Sequence, residues 1–223
     1  MPFPLQVIDL GRRAYEPVLA LQERLVEQRR QDEIPDTLLL VEHEPVYTLG
    51  RNACERHVLA SAEELTHRGI RVIRTTRGGD VTYHGPGQLV GYPILDLRAR
   101  GEGVLTHVGS LEKAIVRLLD GFGVAGATDR KNRGVWVGND KIAALGVRVT
   151  RQVTMHGFAL NVKMDLAPYR SIVPCGIEGR GVTSLHLFVP DVRAEDVRQR
   201  MIRCFCEVFG YAIWTKDPQS LIG

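Results

Sequence analysis

The stretch Thr37-Leu38-Leu39-Leu40-Val41-Glu42 constrains the fold more than any other in this 223-residue chain. Its apolar residues run on without alternating with polar ones, which is the pattern of a β-strand covered on both faces. Pro35-Asp36 breaks the chain before it and His43-Glu44-Pro45 turns the chain after it. The rest of the sequence supplies covering elements and further strands. Val18, Leu21, Gln22 and Leu25 recur at helical spacing behind a Pro17 that a first turn tolerates, predicting a helix from about Ala14 to about Arg30. Val46 to Leu49 reads as a second short strand. Glu63-Glu64-Leu65 belongs to a small helix ended by Gly69, and Arg71 to Thr76 reads as the next strand. Leu89 to Leu97 is another, with Pro93 at a bulge or an edge.

The second half keeps alternating. Val108, Leu111, Ile115, Leu118, Leu119 and Phe122 form one face of an amphipathic helix closed by Gly121 and Gly123. Val135 to Val137, the turn Gly138-Asn139-Asp140 and the run Lys141 to Thr150 read as a hairpin. Thr154 to Val162 continues as a strand, residues 168–183 are irregular, and a last helix spans Ala194 to Phe209. No repeat, low-complexity tract or linker divides the chain. The expectation is an α/β fold with a mixed sheet and flanking helices, residues 1–223 forming one domain.

Composition narrows the function classes. A hydrophobic content of 44% with 25% charged residues is that of a water-soluble globular protein. The net charge of +3 is too small to argue for nucleic acid, and no basic tract interleaves with aromatics. The cluster Asp129-Arg130-Lys131-Asn132-Arg133 reads as a solvated loop. The cysteines at 54, 175, 204 and 206 have neither paired metal-ligand spacing nor a secreted-scaffold pattern, so a reducing compartment is expected. The first ten residues do not resemble a signal peptide, and no apolar run is long enough for a bilayer. A cytoplasmic protein without membrane or nucleic-acid partners is the expectation.

Two residues point to chemistry. Lys141 opens a strand, and Cys175 sits in Ile-Val-Pro-Cys-Gly-Ile. A cysteine attacks a carbonyl as thiolate, and a nearby ammonium favours that form. Taken singly, the lysine is a solvated strand end and the cysteine a small loop hydrophobe. A third segment, Arg77-Gly78-Gly79-Asp80-Val81-Thr82-Tyr83-His84-Gly85-Pro86-Gly87-Gln88, reads either as a wide turn or as a backbone cradle for a ligand. It fits neither a Walker loop nor a dinucleotide fingerprint. Arg77, Thr82, Tyr83 and His84 favour the cradle, since a plain turn needs no such side chains. His84 and His156 are alternative bases for Cys175. His43-Glu44 lacks the second histidine that a zinc helix requires, because position 47 is Tyr, so no metal is expected. Cys204 and Cys206 read as packing residues of the last helix, and Cys54 as having no role.

Together with Tyr47-Thr48-Leu49-Gly50-Arg51, Lys141-Ile142-Ala143-Ala144-Leu145-Gly146-Val147, His156-Gly157-Phe158-Ala159-Leu160-Asn161 and Pro174-Cys175-Gly176-Ile177, that glycine-rich segment resembles the lipoyl(octanoyl) transferase family. The resemblance covers most of the chain, in order. It implies the fold of the catalytic domain of lipoate and biotin protein ligases. It implies transfer of octanoate from octanoyl-acyl carrier protein to a lysine of lipoyl domains, in 2-oxoacid dehydrogenase complexes and the glycine cleavage H protein, with no cofactor. Cys175 would carry the acyl thioester and Lys141 would activate it. The acyl-binding residues would be Arg77, Gly78, Gly79, Asp80, Val81, Thr82, Tyr83, His84, Ala144, Leu145, Gly146, Gly157, Phe158 and Ala159. Asp80 departs from the family, which often has Gln there, and adds a carboxylate near the loop. Two rivals are an ATP-dependent lipoate or biotin ligase, which forms an adenylate and needs no cysteine nucleophile, and a non-catalytic module that binds acyl carrier or lipoyl domains.

Overall fold

The computed structural model describes residues 3–173 and 179–214. Its elements run in the order β1 (Phe3–Arg13), α1 (Tyr15–Arg30), β2 (Asp36–His43), β3 (Val46–Leu49), α2 (Ala62–His67), β4 (Arg71–Arg74), β5 (Val81–His84), β6 (Gln88–Ile94), α3 (Leu97–Arg100), α4 (Val104–Asp120), β7 (Ala127–Thr128), β8 (Val135–Val137), β9 (Asp140–Thr150), β10 (Val153–Asn161), α5 (Ala194–Phe209) and β11 (Tyr211–Trp214). Eight strands form one sheet in the order β11-β1-β2-β6-β10-β9-β8-β7, and β4-β3-β5 form a second. β1 runs parallel to β11 and β2, and the pairs from β2 across to β7 are antiparallel. The sheet is therefore mixed, as the sequence pattern predicts. Among the described residues no helix is long and apolar enough to cross a membrane.

β2 behaves as its unbroken apolar run requires. Leu38 and Leu40 face one core with Leu111, Ile115 and Leu118 of α4 and Met201 and Phe205 of α5. Leu39 and Val41 face the other, with Val18 and Leu25 of α1. Each such side chain, fully buried, contributes on the order of 1.5–3 kcal/mol. A third cluster, of Tyr47, Val81, Tyr83, Tyr169 and Ile172, fills the space beneath the small sheet.

The structure corrects the strand expectations in three places. β1, β7 and β11 are strands with no counterpart in the local sequence pattern. Val81–His84 is a buried strand of the small sheet, so the glycine-rich segment is a turn only up to Asp80, and the strand before it ends at Arg74 rather than Thr76. Pro93 lies on no edge, because β6 sits between β2 and β10. Its missing N–H is met by an interruption in the partner strand instead. β6–β10 pairing runs from Gln88–Asn161 to Gly91–Phe158 and resumes only at the Asp96–Val153 bridge. Within that gap His156 turns to φ +56°, its N–H donates to Gln22 Oε1 of α1 (2.9 Å), and the Pro93 carbonyl accepts from Thr154 Oγ1 (2.7 Å).

Asp36 ties distant elements together. Its carboxylate accepts from Arg29 Nε of α1 (2.8 Å), from the Asp96 N–H ahead of α3 (3.0 Å) and from the Tyr211 hydroxyl of β11 (2.5 Å). Removing one partner of a buried pair strands the other charge, at a cost of about 3–5 kcal/mol. Asp36→Ala is therefore expected to lower the unfolding free energy by about that amount in urea titration, while Asp36→Asn loses less because it keeps an acceptor oxygen. A loss in Asp36→Ala no larger than that of an exposed substitution would show that the cluster is not an anchor.

Candidate active site

Arg77 organises the site. It is buried in the turn between β4 and β5, and its guanidinium donates to Thr48 Oγ1 (3.1 Å from Nε) and to the carbonyls of Thr48 (2.5 Å), Gly78 (3.0 Å) and Asp80 (2.7 Å). Several of the turn's other backbone groups are paired as burial demands. Gly50, Arg51 and Asn52 donate to the carbonyls of Asp80, Arg77 and Gly79, and the Gly78 N–H donates to the Val147 carbonyl of β9. A side chain at Gly50 would collide with the Gly79 carbonyl, so the strand-end glycine is what lets the two turns nest.

Behind this turn lies a cavity. Its walls bring together the sequence-predicted Arg77, Gly79, Thr82, His84, Ala144, Leu145, Gly146, Gly157, Phe158 and Ala159, joined by Tyr15, Val90, Tyr92 and His156. The other predicted residues fall elsewhere. Strand alternation in β5 turns Val81 and Tyr83 into the third core cluster. Gly78 lines a neighbouring cleft. Asp80 turns its carboxylate away, to His57 Nδ1 and to the Cys54 N–H (3.3 Å), so its charge holds residues 54–57 against the turn. Val90 and Tyr92 were readable as one face of a period-two strand; Tyr15 comes from a distant helix and left no local signal.

Lys141 stands beside the cavity, at the start of β9. It lines a cleft of about 770 Å³ that shares Gly79, Leu145 and Gly146 with the cavity, and a smaller one that shares Thr82 and Ala144. Its backbone is clamped on both sides: its N–H donates to the Gly181 carbonyl and its carbonyl accepts from Thr183 (both 2.9 Å). Its Nζ donates to the Arg133 carbonyl (3.3 Å) and lies 4.7 Å from the centre of the Trp136 ring. Arg180 stacks on that ring at 3.4 Å and pairs with Asp129 (2.7 Å). The Lys131 N–H, with Asn132 and Arg180 behind it, holds the Asp129 carboxyl far below its ordinary range. Glu112 of α4 receives the Gly134 N–H (3.0 Å) and Arg133 Nη1 (2.9 Å), pinning the loop whose carbonyl meets Lys141. Cys175 lies outside the described residues.

The cavity's histidines are buried and neutral. His84 is bonded at both ring nitrogens, to Thr48 Oγ1 (3.2 Å) and Gln88 Oε1 (2.8 Å), and burial pushes its pKa well below the usual value. Burial, then the charge of Arg77, brings His156 down from 6.5 to about 4. Burial likewise brings His43, bonded to the Tyr92 hydroxyl, down to about 4. All are neutral near pH 7. His84 and His156 line the cavity but neither of the clefts that Lys141 lines. Among the cysteines described, Cys54 is the one whose thiolate is favoured, by a hydrogen bond from Arg56, while burial pushes Cys206 up to about 11 and Cys204 up as well.

Residues 14–206 match the family of the lipoyl protein ligase A/B catalytic domain. An octanoyltransferase of Alkaliphilus metalliredigens is 48% identical, covering 94% of this chain and 97% of that protein. A mitochondrial octanoyltransferase of Arabidopsis thaliana is 39% identical over 99% of this chain and 96% of its own length. In three dimensions, a bipartite lipoate protein ligase of Thermoplasma acidophilum superposes with a TM-score of 0.70 at 19% identity, covering 100% of this chain and 91% of that one. A biotin protein ligase of Aquifex aeolicus does so at 0.52 and 13%, covering 94% and 70%. The fold expected from the sequence is thus the one observed.

Buried neutral histidines make stability depend on pH with a definite sign. Folded His43 and His156 resist protonation until about pH 4, whereas an unfolded histidine takes up a proton near 6.5. Below 6.5 the unfolded chain binds more protons, so stability falls as pH drops toward 4. Between pH 7 and pH 5 each site is expected to remove about 2 kcal/mol. Urea titrations at the two pH values check this; equal stability at both would mean that these rings are solvated.

Proposed function

The chain belongs to the lipoyl protein ligase A/B catalytic-domain family and within it to the octanoyltransferases, which are acyltransferases acting in protein lipoylation; from that premise we propose a two-step, cysteine-mediated transfer. The donor is octanoyl-acyl carrier protein, and the acceptors are lysines of lipoyl domains in 2-oxoacid dehydrogenase complexes and of the glycine cleavage H protein. In the first step the Cys175 thiolate attacks the donor's carbonyl carbon. A new carbon–sulfur bond forms, the bond to the carrier's sulfur breaks, and that thiolate takes a proton from Lys141. In the second step the acceptor amine attacks the Cys175 thioester. The amide bond forms, Cys175 leaves as thiolate, and Lys141 takes the amine's proton. Exchange of thioester for thioester is nearly balanced, and thioester to amide runs downhill, so no ATP is needed.

The observation that supports this reading is the meeting of a largely apolar cavity with the clefts lined by Lys141. An octanoyl chain buried there is worth up to about 5 kcal/mol at about 0.8 kcal/mol per methylene. The Arg133 carbonyl and the Trp136 face hold the Lys141 side chain at the mouth of those clefts. An ATP-dependent ligase would have no use for a lysine–cysteine pair, and a binding module would form no covalent adduct.

Incubation with octanoyl-carrier protein followed by intact-mass measurement is expected to show one octanoyl group on Cys175, with no requirement for ATP. Cys175→Ala is expected to lose both the adduct and transfer to a lipoyl domain while keeping its fold; transfer at near wild-type rate would rule out the covalent route. Lys141→Met is expected to slow both half-reactions by roughly 10²-fold or more in single-turnover measurements. A loss in only one half would divide the two proton transfers between different groups.

Brief iodoacetamide labelling at pH 7 isolates the pair. Cys175 is expected to label faster than Cys204 and Cys206, whose thiols burial keeps protonated. Cys54, beside Arg56, serves as an internal reference. Lys141→Met is expected to slow labelling at Cys175 relative to Cys54; an unmoved ratio would mean that Lys141 does not act on the Cys175 thiol.

A further inference from the structure

We propose that Arg180 is a positioning residue for Lys141: through the Trp136 ring and the Asp129 carboxylate it sets where the lysine's amino group stands. The proposal rests on the acyl-transfer reading above, in which Lys141 moves the protons, and names a residue on which that role depends. Arg180 lines neither the cavity nor the clefts that Lys141 shares with it. It therefore acts through its neighbours and not on the acyl group.

Two of the groups that meet Lys141 Nζ are gripped by this one guanidinium. Its central carbon lies 3.4 Å from the centre of the Trp136 ring, and Lys141 Nζ lies 4.7 Å from the same centre. The second grip is on the loop. Arg180 Nη1 donates to Asp129 Oδ2 (2.7 Å), and the same carboxylate receives the N–H groups of Lys131 (2.8 Å) and Asn132 (3.2 Å). The Asn132 carbonyl in turn accepts from Trp136 Nε1 (3.1 Å), and the next carbonyl along, that of Arg133, accepts from Lys141 Nζ (3.3 Å). Glu112 fixes the far end of this loop, at Arg133 and Gly134; Arg180 fixes its near end.

The backbone on either side of Arg180 is tied to the same place. The Gly181 carbonyl accepts the Lys141 N–H (2.9 Å), and the Gly179 carbonyl accepts Asn139 Nδ2 (3.2 Å). The base of the arginine is thus held to the β8–β9 turn while its head reaches across to the ring and the loop. A planar guanidinium can lie flat on an indole and bond a carboxylate at its edge at once; an ammonium cannot. The side chains of Arg180 and Asp129 are 22% and 29% exposed, so the ion pair itself adds little to stability. What it supplies is the placing of the ring and the carbonyl against Lys141.

The test reads rate and placement separately. In single-turnover measurements at saturating octanoyl-carrier protein, Arg180→Ala is expected to slow transfer by roughly tenfold or more with KM for the carrier unchanged. On a Lys141→Met background the same change is expected to slow transfer no further, because a residue that acts through Lys141 has nothing left to act on. Undiminished transfer in Arg180→Ala, or an equal slowing in both backgrounds, overturns the proposal. Placement is read from the ε-methylene resonance of Lys141, identified by its loss in Lys141→Met and displaced in the wild-type protein by the Trp136 ring current. Arg180→Ala is expected to return it toward the ordinary lysine position, and Arg180→Lys, which keeps the charge without the flat stack, to do so in part; a resonance unmoved in both overturns the proposal. Should Arg180→Ala fail to fold, the same readings on Arg180→Lys decide. Failure of the wild-type protein to transfer octanoate would instead count against the acyl-transfer reading, and the Lys141 resonance would still decide the question of Arg180.

Discussion

The site depends on a buried guanidinium. Arg77 carries a charge into the interior, and that is tolerable only where its N–H groups are matched by oxygens. The matching oxygens come from Thr48 on β3 and from the turn's own carbonyls at Gly78 and Asp80. Satisfying one side chain therefore fixes the path of the turn, and the turn forms a wall of the cavity. The same charge helps to keep His84 and His156 neutral. Geometry and protonation inside the cavity thus share one source.

β9 carries the consequences outward. At its start, Lys141 is clamped through its backbone and oriented by the Arg133 carbonyl and the Trp136 ring. A few residues on, Ala144 and Gly146 are small enough for the Arg77 turn to lie close above them, and a side chain at Gly146 would press on the Gly78 carbonyl. One strand thereby presents a charged end and an apolar wall in fixed register. Because β9 and β10 pair without a break from Val153–Thr150 to Leu160–Ala143, the separation between those two regions is set by strand geometry rather than by a loop.

Local sequence signals carried much of this, and their failures have physical causes. The Thr37–Glu42 run announced a doubly covered strand because burial on both faces leaves no polar position. The β8–β9 hairpin announced itself through its Gly-Asn-Asp turn. β1 was hidden by Pro4 near its start, although Leu5 faces one core and Ile8 and Leu10 the other. β5 was hidden by the glycines on either side of it, which read as a loop. Pro93 suggested a bulge or an edge because a proline cannot complete a ladder, and the actual solution, a break in pairing at His156 on the partner strand, lies far away in sequence. Asp80 could not be read at all from its neighbours, since its partner His57 comes from a different turn. What the sequence hides here are pairings between residues far apart along the chain.

The division between the neutral cavity and the Lys141 clefts bears on how a chain of this kind separates binding from proton transfer. An apolar acyl chain is bound best where nothing ionises, and burial holds the cavity histidines to that condition. In the proposed transfer, the group that releases and recovers a proton needs partners that stabilise its charge. Lys141 has the partners in a backbone carbonyl and an aromatic face, and its cleft is lined by the hydrophilic side chains of Lys131, Asn132 and Arg133. Moving either function into the other compartment would work against it. A charged base beside the acyl chain would weaken chain binding, and a lysine sunk among the cavity's apolar walls would lose the form that favours a thiolate. The residues shared by cavity and clefts, Gly79, Thr82 and Ala144 to Gly146, are small or neutral, and in the proposed transfer an acyl carbonyl would stand at that boundary with its chain on one side and Lys141 on the other.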